Sequence, residues 1–318
     1  KVTSAADNGL PIKSTILPIT LPISIDDEEC EKACWITCMD ISPGAKNSIK
    51  GKPNTSPLSS PHAIDITIKN NSYDVKRIPN SNQIMPNTIR IVAAGPVHSL
   101  PGYANGEWWV QDIAASLPVK LFGIIKGKNI IEIGAAPGGK TAQLVYAGAH
   151  VTALDRSPTR LKQLKVNLLR LKLKARIIQD DADTWRPNSL ADGVLIDAPC
   201  SATGTIRRHP EIIWQHSYSD LGILQERQLN LLSAALEMVK PKGLIIYTVC
   251  SLDKDEGCNV INKFIKAHKN VERIPIKKTE FDILPNLTSK SNKSSVKSTL
   301  IIFHSGALAS NHGGVMFS

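Results

Sequence analysis

The sequence predicts an α/β protein built on a mostly parallel, Rossmann-like sheet. Two observations carry that prediction. From Gly106 onward, short apolar runs alternate with amphipathic helical segments, the pattern of a parallel sheet covered on both faces. One run, NIIEIGAAPGGKT (129–141), passes directly into a glycine-rich turn and a helix start, the form that a nucleotide-containing ligand requires.

Taken in order, 26–39 reads as a short helix and 41–61 as a Ser/Pro/Lys/Gly-rich linker, so 1–61 is expected to be a poorly ordered or degenerate N-terminal segment. Cys30, Cys34 and Cys38 recur every four residues and read as one face of that helix, since radical-type iron–sulfur spacing is tighter. The segments AIDITIK (63–69) and NTIRIVA (87–93) alternate apolar and polar residues like half-buried strands, and 62–105 is expected to form a small α+β module. The larger domain is expected over 106–318. Its strands are predicted at 129–133, 150–154, 175–179, 192–197 and 243–249, and its helices near 139–147, 158–171 and 219–239. A flexible loop over 284–298 and a last strand at 300–303 complete the series.

Bulk properties bound the rest. A chain of 318 residues can hold one full α/β domain and a smaller module. A formal charge of +10 favours a polyanionic partner through counterion release. Six cysteines are too few for a disulfide scaffold, which points to a reducing cytoplasm. No apolar run approaches the ~20 residues of a membrane span, so no membrane partner is expected. The chain starts at Lys1 rather than Met and reads as a fragment or processed form, taken to be a monomer.

In the turn, Gly134, Gly138 and Gly139 allow close backbone approach to a ligand, and Pro137 stiffens the path. Asp155 closes the next strand, where an acid can accept both hydroxyls of a ribose. The string GAAPGGKT also satisfies G-x-x-x-x-G-K-T, so residue types alone leave a phosphate loop open. Neither Asp155 nor the thiols considered next would serve phosphoryl transfer.

Cys200 and Cys250 lie 50 residues apart, each where a short apolar run ends (VLIDAPCS and LIIYTVCS). That position is the carboxyl edge of a parallel sheet, where ligands and chemistry collect. Free cysteines are usually small apolar filler. Two thiols facing a cofactor turn instead suit covalent catalysis on an electron-poor ring such as cytosine. A thiolate adding to carbon 6 makes carbon 5 nucleophilic enough to take a methyl group, and a base then removes the carbon 5 proton so that the thiol can leave. Asp197, in DAPC, is placed to hold the ring's amide-like edge and assist proton movement.

Four ordered strings, PGYANGEWWVQD (101–112), IEIGAAPGGKT, DAPCSATGTIRRHPEIIW (197–214) and YTVCSLDKDEG (247–257), resemble the NOL1/NOP2/Sun family of RNA (cytosine-5) methyltransferases over roughly 62–283. Within it the strings are most similar to the bacterial small-subunit (16S) rRNA methyltransferase B group. The resemblance implies S-adenosylmethionine as cofactor, RNA (in that group rRNA) as partner, and RNA binding by the small module. It makes Cys250 the nucleophile and Cys200 the thiol that assists product release. It sets Gly134, Ala135, Ala136, Pro137, Gly138, Gly139 and Lys140 along the methionine part of the cofactor, Asp155 at its ribose and Asp181 at its adenine. Asp197 falls between cofactor and base, and Lys140 within reach of the target ring; no metal is implied.

Departures are Gly134 where the family usually has Cys, Glu132 where it has Asp, and Cys258 where it has an acidic residue. HGGVMFS (312–318) replaces a closing GGxDGFF string, which predicts a short last strand and a partly exposed neighbouring sheet edge. The helical domain that precedes the module in the rRNA group is not recognisable in 1–61. Those departures motivate the rival reading, an RNA-binding remnant without turnover. On the surface, 156–176 carries eight basic residues and no acid, with Leu161, Leu164, Leu168 and Leu171 as its inward stripe. A solvated face is its plainer reading, and Arg207-Arg208-His209 is the better candidate for phosphate contact. Trp108 and Trp109 read as core more readily than as base-stacking platforms.

Overall fold

The computed structural model describes residues 63–69, 73–92, 95–206, 209–214, 218–274 and 298–304. The expectations for 1–61, the cysteines at 30, 34 and 38, Arg207, Arg208, and HGGVMFS lie outside them.

A four-stranded antiparallel sheet comes first, from β1 (Ile64–Ile68), β2 (Ser81–Met85), β3 (Thr88–Ile91) and β4 (Trp108–Val110), in the order β2-β3-β1-β4. Ile66, Ile68, Ile89 and Ile91 pack with Trp108 on one face. The other face of β1 is buried too, unlike the half-exposed strand its alternation suggests. Asp65 accepts from Arg90 Nε and Nη2 at 2.8 and 3.0 Å and from the Ile113 N–H at 3.1 Å, at the start of helix α1 (Ile113–Lys120). Because β4 pairs with β1, the small sheet runs on past residue 105 into the EWWVQD string.

The second sheet has seven strands, every pairing parallel. They are β5 (Asn129–Ile133), β6 (His150–Asp155), β7 (Arg176–Gln179), β8 (Ala191–Asp197), β9 (Val239–Val249), β10 (Val271–Arg273) and β11 (Ser298–His304), ordered β10-β11-β9-β8-β5-β6-β7. The helices are α2 (Gly139–Tyr146), α3 (Pro158–Arg170), α4 (Tyr218–Met238) and α5 (Cys258–Ala267). Each predicted strand and helix of this domain is present within a few residues. β9 begins earlier than expected through an irregular stretch in which the register against β8 jumps between Ala191 and Gly193. Helices α1 and α5 and strand β10 are not among the expected elements.

One expectation is corrected. β11 pairs with β9 from Thr299↔Leu244 to His304↔Val249 and lies inside the sheet, so the β9 edge is covered by the 300–303 segment. The chain winds outward from β5 toward β7, then resumes at β8 on the opposite side of β5. That reversal opens a crevice at the carboxyl ends of β5 and β8.

The two sheets meet at Gln111. Its Oε1 accepts from Thr67 Oγ1 at 3.1 Å and from Trp109 Nε1 at 2.8 Å. Its Nε2 donates to Gln143 Oε1 of α2 at 2.9 Å and to the Ala115 carbonyl at 3.3 Å. Trp109 itself packs into the larger domain with Ala142, Leu161 and Leu164. The adjacent tryptophans thus fill two separate cores, and neither is available to stack on a base. Truncating Gln111 to Ala strands buried donors and should lower unfolding stability by about 1–3 kcal/mol. Denaturant titration tests this; wild-type stability would mean that the junction re-forms around water.

Candidate active site

Parallel register brings the site together. Ile133 of β5 is level with Ile196 of β8 and Leu154 of β6, and Asp197 is level with Thr248 of β9. Gly134, Asp155, Asp197 and Cys250 therefore leave the sheet at one edge. Gly134 has φ +76°, and a Cβ there would overlap the Asp197 carbonyl oxygen. On this backbone the residue must be glycine, and the cysteine usual in the resembled family would not fit. Gly138, at φ +104°, caps α2 in the left-handed region.

A cavity of about 310 Å³ opens beside the turn, within the range typical of small-ligand sites. Of the residues expected here it is lined by Gly134, Asp155, Asp197, Cys200 and Cys250. Ala135 and Ala136 are buried in the core beneath it, and Pro137, Gly138, Gly139, Lys140 and Asp181 do not form its wall. The Asp181 carboxylate is taken by Arg227, which also holds Asp183. Burial works to raise the Asp181 carboxyl, but Arg227 and the Asp183 N–H outweigh it and hold it below the usual range. The wall instead carries Asp180 and Arg227.

Asp155 is nearly inaccessible. It accepts from the Ala136 N–H at 3.1 Å and the Ser157 N–H at 2.9 Å, and Arg160 lies 3.4 Å from it while also bonding the Ala136 carbonyl. Asp155 thus ties β6 to the turn, a job its strand-end position did not disclose. Arg160 could have been suspected from its position in the first turn of α3, close to that acid.

The thiols of Cys200 and Cys250 are both free and half-buried, with their sulfurs 3.4 Å apart. They are not equivalent. The Cys200 S–H as donor holds the Cys250 thiol below its ordinary range, against burial and the Asp197 charge and with help from Lys140. The same contact, followed by burial, pushes the Cys200 thiol well up. Lys140 Nζ donates to Asp197 Oδ2 at 2.7 Å. Burial acts to lower the Lys140 ammonium, but Asp197 prevails and the net shift is upward. The arrangement is one thiol favoured as thiolate, a protonated thiol against it, and a fixed ammonium–carboxylate pair alongside.

Basic side chains of 156–176 are partly spent on structure. Arg170 stacks on Tyr103, its Cζ 3.9 Å from the ring centroid, and donates to the Tyr103 and Trp108 carbonyls at 2.7 and 3.1 Å. The leucine stripe is buried as expected. His209 is exposed and pairs with Glu211 at 3.1 Å.

With this geometry in place, comparison with known proteins is decisive. Residues 122–300 match the family model described as 16S rRNA methyltransferase RsmB/F. The chain belongs to that family. It is 37% identical over 210 residues to the ribosomal RNA small subunit methyltransferase B of Photorhabdus laumondii, covering 64% of this chain and 48% of that one. With the Vibrio cholerae protein of the same name it shares 41% over 175 residues, 54% of this chain and 40% of the relative. The chain thus spans about half the length of the curated relatives it matches. Among solved structures, that of PH0851 superposes with a TM-score of 0.61 at 27% identity, covering 66% of this chain and 52% of the other. A methyltransferase homologue from Pyrococcus horikoshii shares the fold, with a TM-score of 0.56 at 24% identity over 69% of this chain and 73% of that one. The fold is that of S-adenosylmethionine-dependent methyltransferases, and S-adenosylmethionine is the cofactor. The residues present fit it: the cavity begins at a glycine with no room for a side chain and ends at the thiols. No described helix is long and apolar enough to cross a membrane.

Glu132, beneath the turn, generates a prediction. Thr141 Oγ1 lies 2.6 Å from its Oε2, and burial pushes the carboxyl up to about 8, against Thr141 and Lys140. A carboxyl raised in the fold binds its proton more tightly than in the unfolded chain. Stability should therefore be full below the ordinary carboxyl range and fall as pH rises toward about 8, then level off. Glu132→Gln should remove that slope, roughly 1 kcal/mol per pH unit at its steepest. Parallel unfolding curves for both proteins across this range would refute it.

Proposed function

We propose that this chain forms 5-methylcytosine in RNA, with small-subunit rRNA as substrate, working as a monomer in the cytoplasm. The observation that carries the proposal is the 3.4 Å pair of free thiols beside the Lys140–Asp197 ion pair, at the end of the cofactor cavity. The net charge of +10 suits a polyanionic partner.

In this reading Cys250 is the nucleophile. Its thiolate forms a bond to carbon 6 of a flipped cytosine, which turns carbon 5 into a carbon nucleophile. S-adenosylmethionine, when bound, supplies the methyl group as a sulfonium. Asp197, held by Lys140, faces the ring's amide-like edge and assists proton movement there, and Lys140 is within reach of the ring. Cys200 completes the cycle. While Cys250 is a thiolate, Cys200 keeps its proton. Once Cys250 is bonded to carbon, that restraint ends; Cys200, only partly buried, passes its proton to solvent and as a thiolate accepts the one on carbon 5. The carbon–sulfur bond then breaks, and its electron pair returns to Cys250.

Gly134 borders the methionine part of the cofactor with the rest of the 134–140 turn behind it, Asp155 its ribose, and Asp180 with Arg227 its adenine end, Asp181 standing behind Arg227. The small sheet, reaching from Ile64 into the EWWVQD string, contributes RNA contacts beside the methyltransferase domain. Retention of both thiols, Asp197 and the turn speaks against a remnant without turnover.

Bisulfite sequencing of rRNA from cells with and without the protein tests activity and substrate together; an unchanged methylation pattern would overturn the proposal. At the residue level, Cys250→Ala should abolish methyl transfer with cofactor affinity nearly unchanged. Cys200→Ala should accumulate a denaturation-resistant protein–RNA adduct that disappears in the double variant. An adduct in Cys250→Ala instead would reverse the two assignments.

A further inference from the structure

The two thiols belong to separate loops, and what joins those loops is a buried acid outside the roles above. Glu256, in the 3-10 turn Lys254–Glu256, has no exposed surface. Its Oε1 accepts from the Ser201 N–H at 2.8 Å and from Gln228 Nε2 at 3.3 Å, and its Oε2 accepts from Ser201 Oγ. Ser201 follows Cys200, and its hydroxyl lies 3.0 Å from that of Ser251, which follows Cys250. Thr203 Oγ1 lies 3.1 Å from Ser251 Oγ and accepts from the Leu252 N–H at 2.9 Å. Gln228 also donates to the Pro199 carbonyl at 2.9 Å, and the Gly204 N–H donates to the Cys250 carbonyl at 2.9 Å.

A carboxylate only accepts, so it fixes the direction of this chain. Ser201 donates to Glu256, Ser251 can donate to Ser201, and Thr203 to Ser251. The negative end lies on the Cys200 side. On the Cys250 side stands Lys140, paired with Asp197. Of the other ionisable groups nearby, Tyr247 donates its hydroxyl to the Glu256 carbonyl at 2.8 Å, and Asp253 and Asp255 share the acid's own turn.

We propose that Glu256 is the positioning residue of the thiol pair: its carboxylate clamps the Cys200 loop to the Cys250 loop and decides that Cys250, not Cys200, carries the negative charge. The inference rests on the reading of Cys250 as nucleophile and adds the reason why that thiol is chosen. The Glu256 charge adds to the upward push on the Cys200 thiol, as the smallest contribution after the Cys250 contact and charge, burial and the opposing Ala202 N–H. A carboxylate behind Cys200 also makes it a more avid proton acceptor once it has lost its proton.

The test is limited alkylation by iodoacetamide at neutral pH, with the modified cysteine located by mass spectrometry and folding followed by thermal melting. In the wild-type protein Cys250 should react first. In Glu256→Gln the ratio of Cys250 to Cys200 modification should fall about tenfold, the effect of one unit in their relative pKa. Ser201→Ala removes a hydroxyl but keeps the charge, and should hold the ratio within about twofold. An unchanged ratio in folded Glu256→Gln, or an equal fall in Ser201→Ala, would overturn the proposal and leave a merely structural clamp. If Glu256→Gln does not fold, Glu256→Asp decides, because drawing the charge back by one methylene should lower the ratio part-way and an unchanged ratio would refute it. Failure here is separable from failure of the nucleophile assignment, which is read from methyl transfer by Cys250→Ala.

Discussion

The common register of β5, β8 and β9 is the constraint on which the rest depends. Hydrogen bonding between parallel strands fixes which residues stand level, and a one-residue slip would turn every side chain to the opposite face. With Ile133 opposite Ile196 and Asp197 opposite Thr248, three loops from distant parts of the chain start at one height. The approach of Gly134 to the Asp197 carbonyl then leaves no slack between turn and acid. Lys140, in the first turn of α2, reaches Asp197 at 2.7 Å from that fixed base.

Register alone would deliver two equivalent thiols. Their difference arises first from the contact between them, in which the Cys200 S–H donates to Cys250, and then from burial and nearby charges in a partly dehydrated pocket, where Coulomb interactions are far less screened than in water. Lys140 favours the Cys250 thiolate while Asp197 opposes it, the Glu256 carboxylate lies behind Cys200, and the sulfurs are close enough to share a proton between them. Such a pair titrates as a unit, so the order of the two thiols belongs to the surroundings rather than to either cysteine.

Much of this was legible in the sequence. Buried parallel strands read as short apolar runs, and Leu161, Leu164, Leu168 and Leu171 announce α3 by their spacing. The thiols and the turn stood at strand ends, the one place where sequence position alone implies nearness to a site. What was not legible depends on partners far along the chain. Trp108 and Trp109 are neighbours in sequence but enter different cores, because β4 belongs to one sheet while alternate side chains of a strand face opposite ways. Helix α5 carries Val260, Ile261 and Phe264 at helical spacing, but that stripe is only ten residues long and follows directly on the YTVCSLDKDEG string. Glu256 lies in the charged string LDKDEG, and only the fold brings Ser201 and Gln228 to it.

The same logic decides how the positive charge should be weighed. Eight basic residues over 156–176 invite an RNA-binding reading, yet Arg160 is bonded to Asp155 and the turn, and Arg170 to the small module. Lys69 donates from the other side of that junction to the Leu171 carbonyl at 2.7 Å. These cations join the parts of the protein to each other. Lys162, Lys165, Lys172 and Lys174 remain exposed along α3 and just beyond it, beside the same junction. A polyanion held there would lie across both the small sheet and the methyltransferase domain, the two parts that the Gln111–Gln143 contact joins.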